Sequence, residues 1–280
     1  MGIKTTIFVL LTIMVVCLGI GVSLIFFTDD YYAGPKNNRI VEINQLKTYD
    51  VYSINNIDIK AISSEINLIP TSTDTIKIHF HGSSSKKDQP ELFTNKVGDK
   101  LLIEIDHPIL FFDFYTFKDT TLDIEIPTRY KDQIKIDSVS GDINFQRFDF
   151  EKIDIDAISG DITGTYFTSG KINLESVSGE IFLDQFIGGL TANSISGDVI
   201  LNYQELNEDQ NIESVSGNIK LNFPRDSNFY LNFDTISGNV NNEFPITTQG
   251  SNDYGLQGKV GSGIHDVDVG TISGDLKIFD

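Results

Sequence analysis

The octapeptide IDSVSGDI, residues 136–143, returns six more times as IDAISGDI, LESVSGEI, ANSISGDV, IESVSGNI, FDTISGNV and VGTISGDL. The central glycines are Gly141, Gly160, Gly179, Gly197, Gly217, Gly238 and Gly274, so copies follow every 18–21 residues until a last gap of 36. A unit near 20 residues is too short to bury its own core and must stack on its neighbours, the sequence mark of a solenoid. Counted from each glycine, positions −7, −5 and −3 form one alternating set and +2 and +4 another. Around Gly179 these are Ile172, Leu174 and Ser176, then Ile181 and Leu183. Period-two alternation means strands with one buried face.

The parity changes once per unit, so the strand must bend near the glycine. Position −3 is always small (Ser138, Ala157, Ser176, Ser194, Ser214, Thr235, Thr271), as the crowded inside of a corner requires. Position −2 is always Val or Ile, and its hydrophobicity assigns it to the core, with the bend between −3 and −2. The glycine either adopts a positive φ or sits where a Cβ would strike the next coil. The serine at −1 and the Asp, Glu or Asn at +1 then face outward as two parallel rows. The serine row is expected to hydrogen-bond along its own length. An eighth, weaker copy, IDIKAISSEINL, supplies Ile57, Ile59, Ala61, Ile62, Ile66 and Leu68 with Ser64 in place of glycine.

The fold class expected is therefore all-β: a β-solenoid of parallel β-helix type with roughly 19–20 residues per coil, behind an N-terminal transmembrane helix. Residues 5–27 contain no charge, long enough to cross a bilayer. A signal peptide is the competing reading, but the run is longer than such segments and ends in SLIFFTDD without a small-x-small cleavage site. Lys4 before the span and Asp29 and Asp30 after it place the N-terminus in the cytoplasm. The expected organisation is a cytoplasmic tip at 1–4, the membrane helix at 5–27 and a linker at 28–49. An N-terminal β region with the weak copy and capping strands follows at 50–135, then the repeat solenoid at 136–280. Residues 28–280 would lie outside the cell, in a Gram-positive envelope. The lone cysteine, Cys17, lies within the span, so no disulfide holds the exterior part.

A formal net charge of −19 excludes nucleic acid as a partner. The outward acids Asp142, Asp161, Glu180 and Asp198 are candidates for cation contact, although one side chain per coil makes a poor calcium shell. His79 and His81 share one strand face and could share a metal, but neighbouring residues offer no third ligand. The run HPILFFDFYTFKD carries Phe111, Phe112, Phe114, Tyr115 and Phe117. It reads as a plug for the open end of the stack or, if exposed, as a binding surface. Seven equivalent serines without a recurring histidine do not make a hydrolase. Arg39, Arg129, Arg147 and Arg225 are too scattered for a lyase cleft, and no phosphate or dinucleotide loop occurs, so no cofactor is expected. A carbohydrate-active enzyme on a β-helix is the alternative to a non-catalytic protein.

The register of SVSG[DEN]I, the entry IEIPTRYKDQIKIDSVSGDI and the ending GKVGSGIHDVDVGTISGDLKI resemble the bacterial putative adhesin domain of the LiaG-like group over about residues 50–280. That resemblance implies a β-strand repeat domain behind a membrane anchor, associated with envelope stress, and transfers no catalytic residue. Its expected role is an adhesin-like binding or envelope-stress accessory module. The partners would be the membrane, a wall polymer or another envelope protein.

Overall fold

The computed structural model describes residues 40–86, 89–106, 119–252 and 255–280. Those residues form twenty-two strands and a single short 3-10 turn. The expected membrane helix at 5–27 lies outside them; among the described residues no helix is long and apolar enough to cross a membrane.

Each repeat is one coil with two strands meeting at the Ser-Gly corner, and the coils stack into two faces. The strands before the corner run in the order Glu91–Val97, Lys100–Asp106, Asn56–Ala61, Gln133–Ser138, Asp149–Ala157, Thr168–Ser176, the second half of Ile181–Ser196, then Gln210–Ser216. His265–Ser273, Phe229–Ser237, Gly255–Val260 and Thr247–Asn252 complete that face. The other face begins Ile40–Asp50, Thr75–Ser85, Asp119–Pro127, Glu65–Thr71, Ile143–Gln146, Ile162–Thr165 and the first half of Ile181–Ser196. Val199–Tyr203, Ile219–Asn222, Leu276–Phe279 and Val240–Asn242 finish it. Repeat strands pair in parallel, and antiparallel strands are added at the ends.

The stacking order is not the chain order. The last copy, at Gly274, lies between the copies at Gly217 and Gly238. After the Gly238 coil the chain builds the antiparallel pair Thr247–Asn252 and Gly255–Val260 beyond it, then returns on its inner side. The 77 residues separating Ser64 from Gly141 likewise hold a further coil, Lys100–Asp106 with Asp119–Pro127, plus antiparallel strands.

The interior contains the expected columns. Ile134, Ile136, Ile143 and Phe145 and their equivalents are buried in coil after coil, and the small residue at −3 is buried in every copy. An aromatic column not apparent from the two-residue pattern lies six or seven residues after each of the first six corner glycines: Phe148, Phe167, Phe186, Tyr203, Phe223 and Phe244. Its rings succeed one another at short range, with Phe186 to Tyr203 centroids 4.3 Å apart and Tyr203 to Phe223 4.7 Å. The residue before three of these rings turns the second corner at positive φ: Arg147, Tyr166 and Gln185.

The first corner corrects the expected bend. Both −2 and −1 point outward, and the inward face resumes at the glycine. Two turned-out residues shift the parity, so the Val or Ile column at −2 lies on the surface. The buried serine at −3 closes the corner from inside: the hydroxyls of Ser138, Ser176 and Ser194 donate to the carbonyls of Gly141, Gly179 and Gly197 at 2.9, 3.3 and 3.2 Å. The corner glycines take no positive φ; the close-approach reading is correct. A Cβ on Gly179 would stand 2.2 Å from the carbonyl oxygen of Gly160, and one on Gly217 would stand 2.2 Å from that of Gly197. Backbone, unlike a flexible side chain, cannot retreat.

Gly179→Ala is therefore expected to cost about 3 kcal/mol or more, the top of the usual overpacking range. Ser178→Ala, at the exposed neighbour, should cost about 1 kcal/mol or less. Urea unfolding of the two variants measures the difference, and equal losses would contradict the corner described here.

A surface trough and the outward columns

The −2 residues form an aliphatic stripe across the coils. Ile62 is 48% exposed, Val139 41% and Ile158 37%, while Val177 and Ile195 are half-buried. The β-branched side chains suit the extended backbone here, and each coil's −2 amide donates to the −3 carbonyl of the preceding coil, as Ile158 does to Ser138 at 3.1 Å. The stripe is the floor of an open trough of about 430 Å³, which extends to Ile105 and Asp106 at the end of the first parallel coil.

One wall is the −4 column, outward on the same strands. Asp137, Asp156, Glu175 and Asn193 stand in register there, and Lys60, Glu104 and Asp106 continue the lining. Lys135 bridges Asp137 at 2.9 Å and Asp156 at 3.2 Å. These contacts, the hydrogen bond to Asp137 first, raise the ammonium's pKa. Partial burial raises the carboxyl of Asp156, against the opposing pull of Lys135. Burial also raises Glu175, with the neighbouring Asp156 adding to it. Glu213, further along the column, is raised by burial too. Glu175 has no salt-bridge partner among the described residues. The trough thus joins an apolar floor to partly dehydrated negative charge.

The +1 acids have a structural task. Asp142 Oδ1 accepts from the amide of Asp161 at 3.0 Å, and Asp161 Oδ1 from the amide of Glu180 at 2.8 Å. Asp198 Oδ1 accepts from the Asn218 amide at 2.9 Å, Asn218 Oδ1 from Asp275 and Asp275 Oδ1 from Asn239. The side-chain oxygens of Asp142, Asp161, Asp198, Asn218 and Asp275 each receive the next coil's N–H, which is why Asp and Asn interchange at this position; among the described residues the longer Glu180 makes no such bond. The −1 serines do not bond to one another as expected: Ser140 and Ser159 donate to the −2 carbonyls of Ile62 and Val139 at 3.0 and 3.1 Å.

Phe111, Phe112, Phe114, Tyr115 and Phe117 lie outside the described residues. Their flanks, Asp106 and Asp119, end the two strands of the first parallel coil, where other coils carry Ser-Gly. His79 and His81 project from the opposite face, where Asp123 from a neighbouring strand approaches them; sequence reading missed it because it is 42 residues away. Arg129 pairs with Asp74 and Arg225 with Asp280, at separate places, and Arg147 turns a corner.

A family model, Toastrack DUF4097, matches the chain over residues 54–187 and again over 166–279, spans that together hold all seven glycine corners. The chain belongs to that family. Two solved structures are similar to it. A putative cell adhesion protein from Clostridium sporogenes is 14% identical, with a TM-score of 0.43 over 85% of this chain and 99% of that one. A putative adhesin from Bacteroides fragilis is also 14% identical, with a TM-score of 0.43 over 86% of this chain and 98% of that one. No curated protein matches the sequence. In this Toastrack chain the trough is the outer surface that the repeat itself generates.

The carboxyls of this wall give a pH signature. A carboxyl whose folded-state pKa lies above its unfolded value favours folding while protonated, and that contribution fades as pH rises through the folded value. Glu175→Gln should therefore stabilise the protein near pH 7, by less than about 1 kcal/mol because the site is open to solvent. The gain should vanish below the ordinary glutamate range, near pH 4. Thermal melts of both proteins across pH 3.5–8 check the crossing.

Proposed function

We propose that the protein is a non-catalytic, membrane-anchored binding module of the bacterial cell envelope. Its trough receives an extended segment carrying aliphatic and basic side chains from another envelope protein. The observation that carries this reading is the union, in one groove, of the Ile62–Val139–Ile158–Val177–Ile195 floor with the Asp137, Asp156 and Glu175 wall. An apolar floor rewards aliphatic contact, and a wall of partly exposed carboxylates selects a positive partner and repels phosphate-bearing wall polymers. The adhesin names borne by the similar structures agree with a binding role. The charge-free span at 5–27 supports an anchor with residues 28–280 outside.

Two measurements test this. A labelled peptide alternating Lys and Ile, titrated by fluorescence anisotropy, should bind with an affinity that falls as salt rises, and its Glu-substituted analogue should not bind. Ile158→Asp should abolish binding, and Glu175→Lys should weaken it by about tenfold or more. Binding unchanged by both substitutions would place the contact elsewhere. For the anchor, added protease should degrade residues 28–280 on intact cells, with the protein retained in the membrane fraction; release into the medium would instead mean cleavage.

A further inference from the structure

A second cluster of functional groups lies on the other face, away from the trough. His79 and His81 alternate on the strand Thr75–Ser85 and leave it on the same outer side. Their rings are tilted by 31° with centroids 4.4 Å apart. The neighbour Asp119–Pro127 runs antiparallel and sets Asp123 opposite His79; the neighbour Ile40–Asp50 sets Asn44 opposite His81. The contacts cross the register. His81 Nε2 is 3.0 Å from Asp123 Oδ2, and His79 Nε2 is 2.9 Å from Asn44 Oδ1. One ligand atom from each of His79, His81 and Asp123 lies within 4.8 Å of the other two.

The carboxylate is held from behind. Asn67 Nδ2 donates to Asp123 Oδ1 at 3.0 Å, and Asn144 Nδ2 donates to Asn67 Oδ1 at 3.2 Å. Oδ1 is thus occupied, and Oδ2 is left for the imidazoles. Outer contacts of this kind orient ligands in metal sites.

We propose that His79, His81 and Asp123 bind a divalent transition metal of the zinc class, with Asn44 Oδ1 or water completing the shell. Two imidazoles and one carboxylate are borderline donors, which suit Zn²⁺, Ni²⁺ or Cu²⁺ and not Ca²⁺ or Mg²⁺. The metal takes the place of the proton between His81 Nε2 and Asp123 Oδ2. Tetrahedral ligands at zinc stand about 3.3 Å apart, so atoms that now lie within 4.8 Å of one another close by up to about 1.5 Å, through rotation of part-exposed side chains. Two paired strands supply the three ligands, with Asn44 on a third beside them, and the sheet fixes their spacing. The chain's excess of negative charge draws cations toward it.

The test is calorimetric titration of the full chain in detergent, without a histidine tag, using Zn²⁺, Ni²⁺ and Ca²⁺ in turn. One Zn²⁺ per chain should bind with a Kd of about 10 µM or below, and Co²⁺ should give the visible absorption of a low-symmetry nitrogen–oxygen site. His81→Gln and Asp123→Asn, both near-isosteric, should each weaken Zn²⁺ binding by about tenfold or more. Glu125→Gln, a carboxylate on the same strand as Asp123, should leave it unchanged, and Ca²⁺ should not compete. Circular dichroism confirms that each variant is folded. Absence of stoichiometric Zn²⁺ binding, or binding that survives loss of His81, overturns the proposal.

Discussion

The corner carbonyl of each coil leaves its neighbour no room for a Cβ, and the rest of the molecule follows from that contact. Strands in register stand about 4.8 Å apart, and at the corner the backbone itself turns toward the next coil. Glycine is the only residue that fits, as the 2.1 Å approach of a Gly197 Cβ to the Gly179 oxygen makes plain. Two flanking positions lock the same corner. In three coils the −3 serine (Ser138, Ser176, Ser194) ties the glycine carbonyl within its own coil, and where Asp or Asn stands at +1 its side-chain oxygen accepts an amide from the next. Every link in this set joins a coil to itself or to its immediate neighbours, so stability propagates along the stack one interface at a time.

Much of this could be read from the sequence, because the inward columns obey a simple period. The branched aliphatics at −7, −5, +2 and +4 are where alternation puts them. The −2 column was misassigned because Val and Ile look like core residues, and alternation does not reveal that a corner can turn two consecutive residues outward. The aromatic column escaped notice because its distance from the glycine changes from seven at Phe186 to six at Tyr203, following the shorter coil. Coil order was not encoded locally at all. Every copy presents the same corner, so Gly274 fits against Gly217 as well as Gly238 would. What decides is the antiparallel pair Thr247–Asn252 and Gly255–Val260, for which the 36-residue gap was the available signal. For the same reason His79 and His81 were visible but Asp123 was not: the third ligand arrives through pairing of distant strands.

The ends of the stack show how a repetitive sheet avoids growing further. Antiparallel strands, which break the parallel register, cover the first face at both ends, with Glu91–Val97 at one and Thr247–Asn252 at the other. On the second face the terminal strand Val240–Asn242 is only three residues long, and a short edge offers little template for another chain. The intercalated final coil adds to this. The C-terminal strands are flanked on both sides, so the last residues of the chain are held by two neighbours and do not form a fraying edge.

The same strands carry two outward polar columns that are handled differently, and the contrast bears on function. At −6, charge is matched: Asn173 donates to Asp154, Asn232 donates to Asp268 at 3.1 Å, and Lys135 reaches across to the acids beside it. At −4, directly beside the aliphatic stripe, Glu175 and Glu213 carry raised pKa values with no salt-bridge partner among the described residues. Stability alone would favour the −6 solution at both columns, because partial burial disfavours the charged form of a carboxylate and leaves an amide unaffected. The price is met by the deep apolar columns beneath, which leaves the wall charged. A partner that brings a cation to these carboxylates and an aliphatic side chain to Ile158 would relieve both unsatisfied surfaces at once.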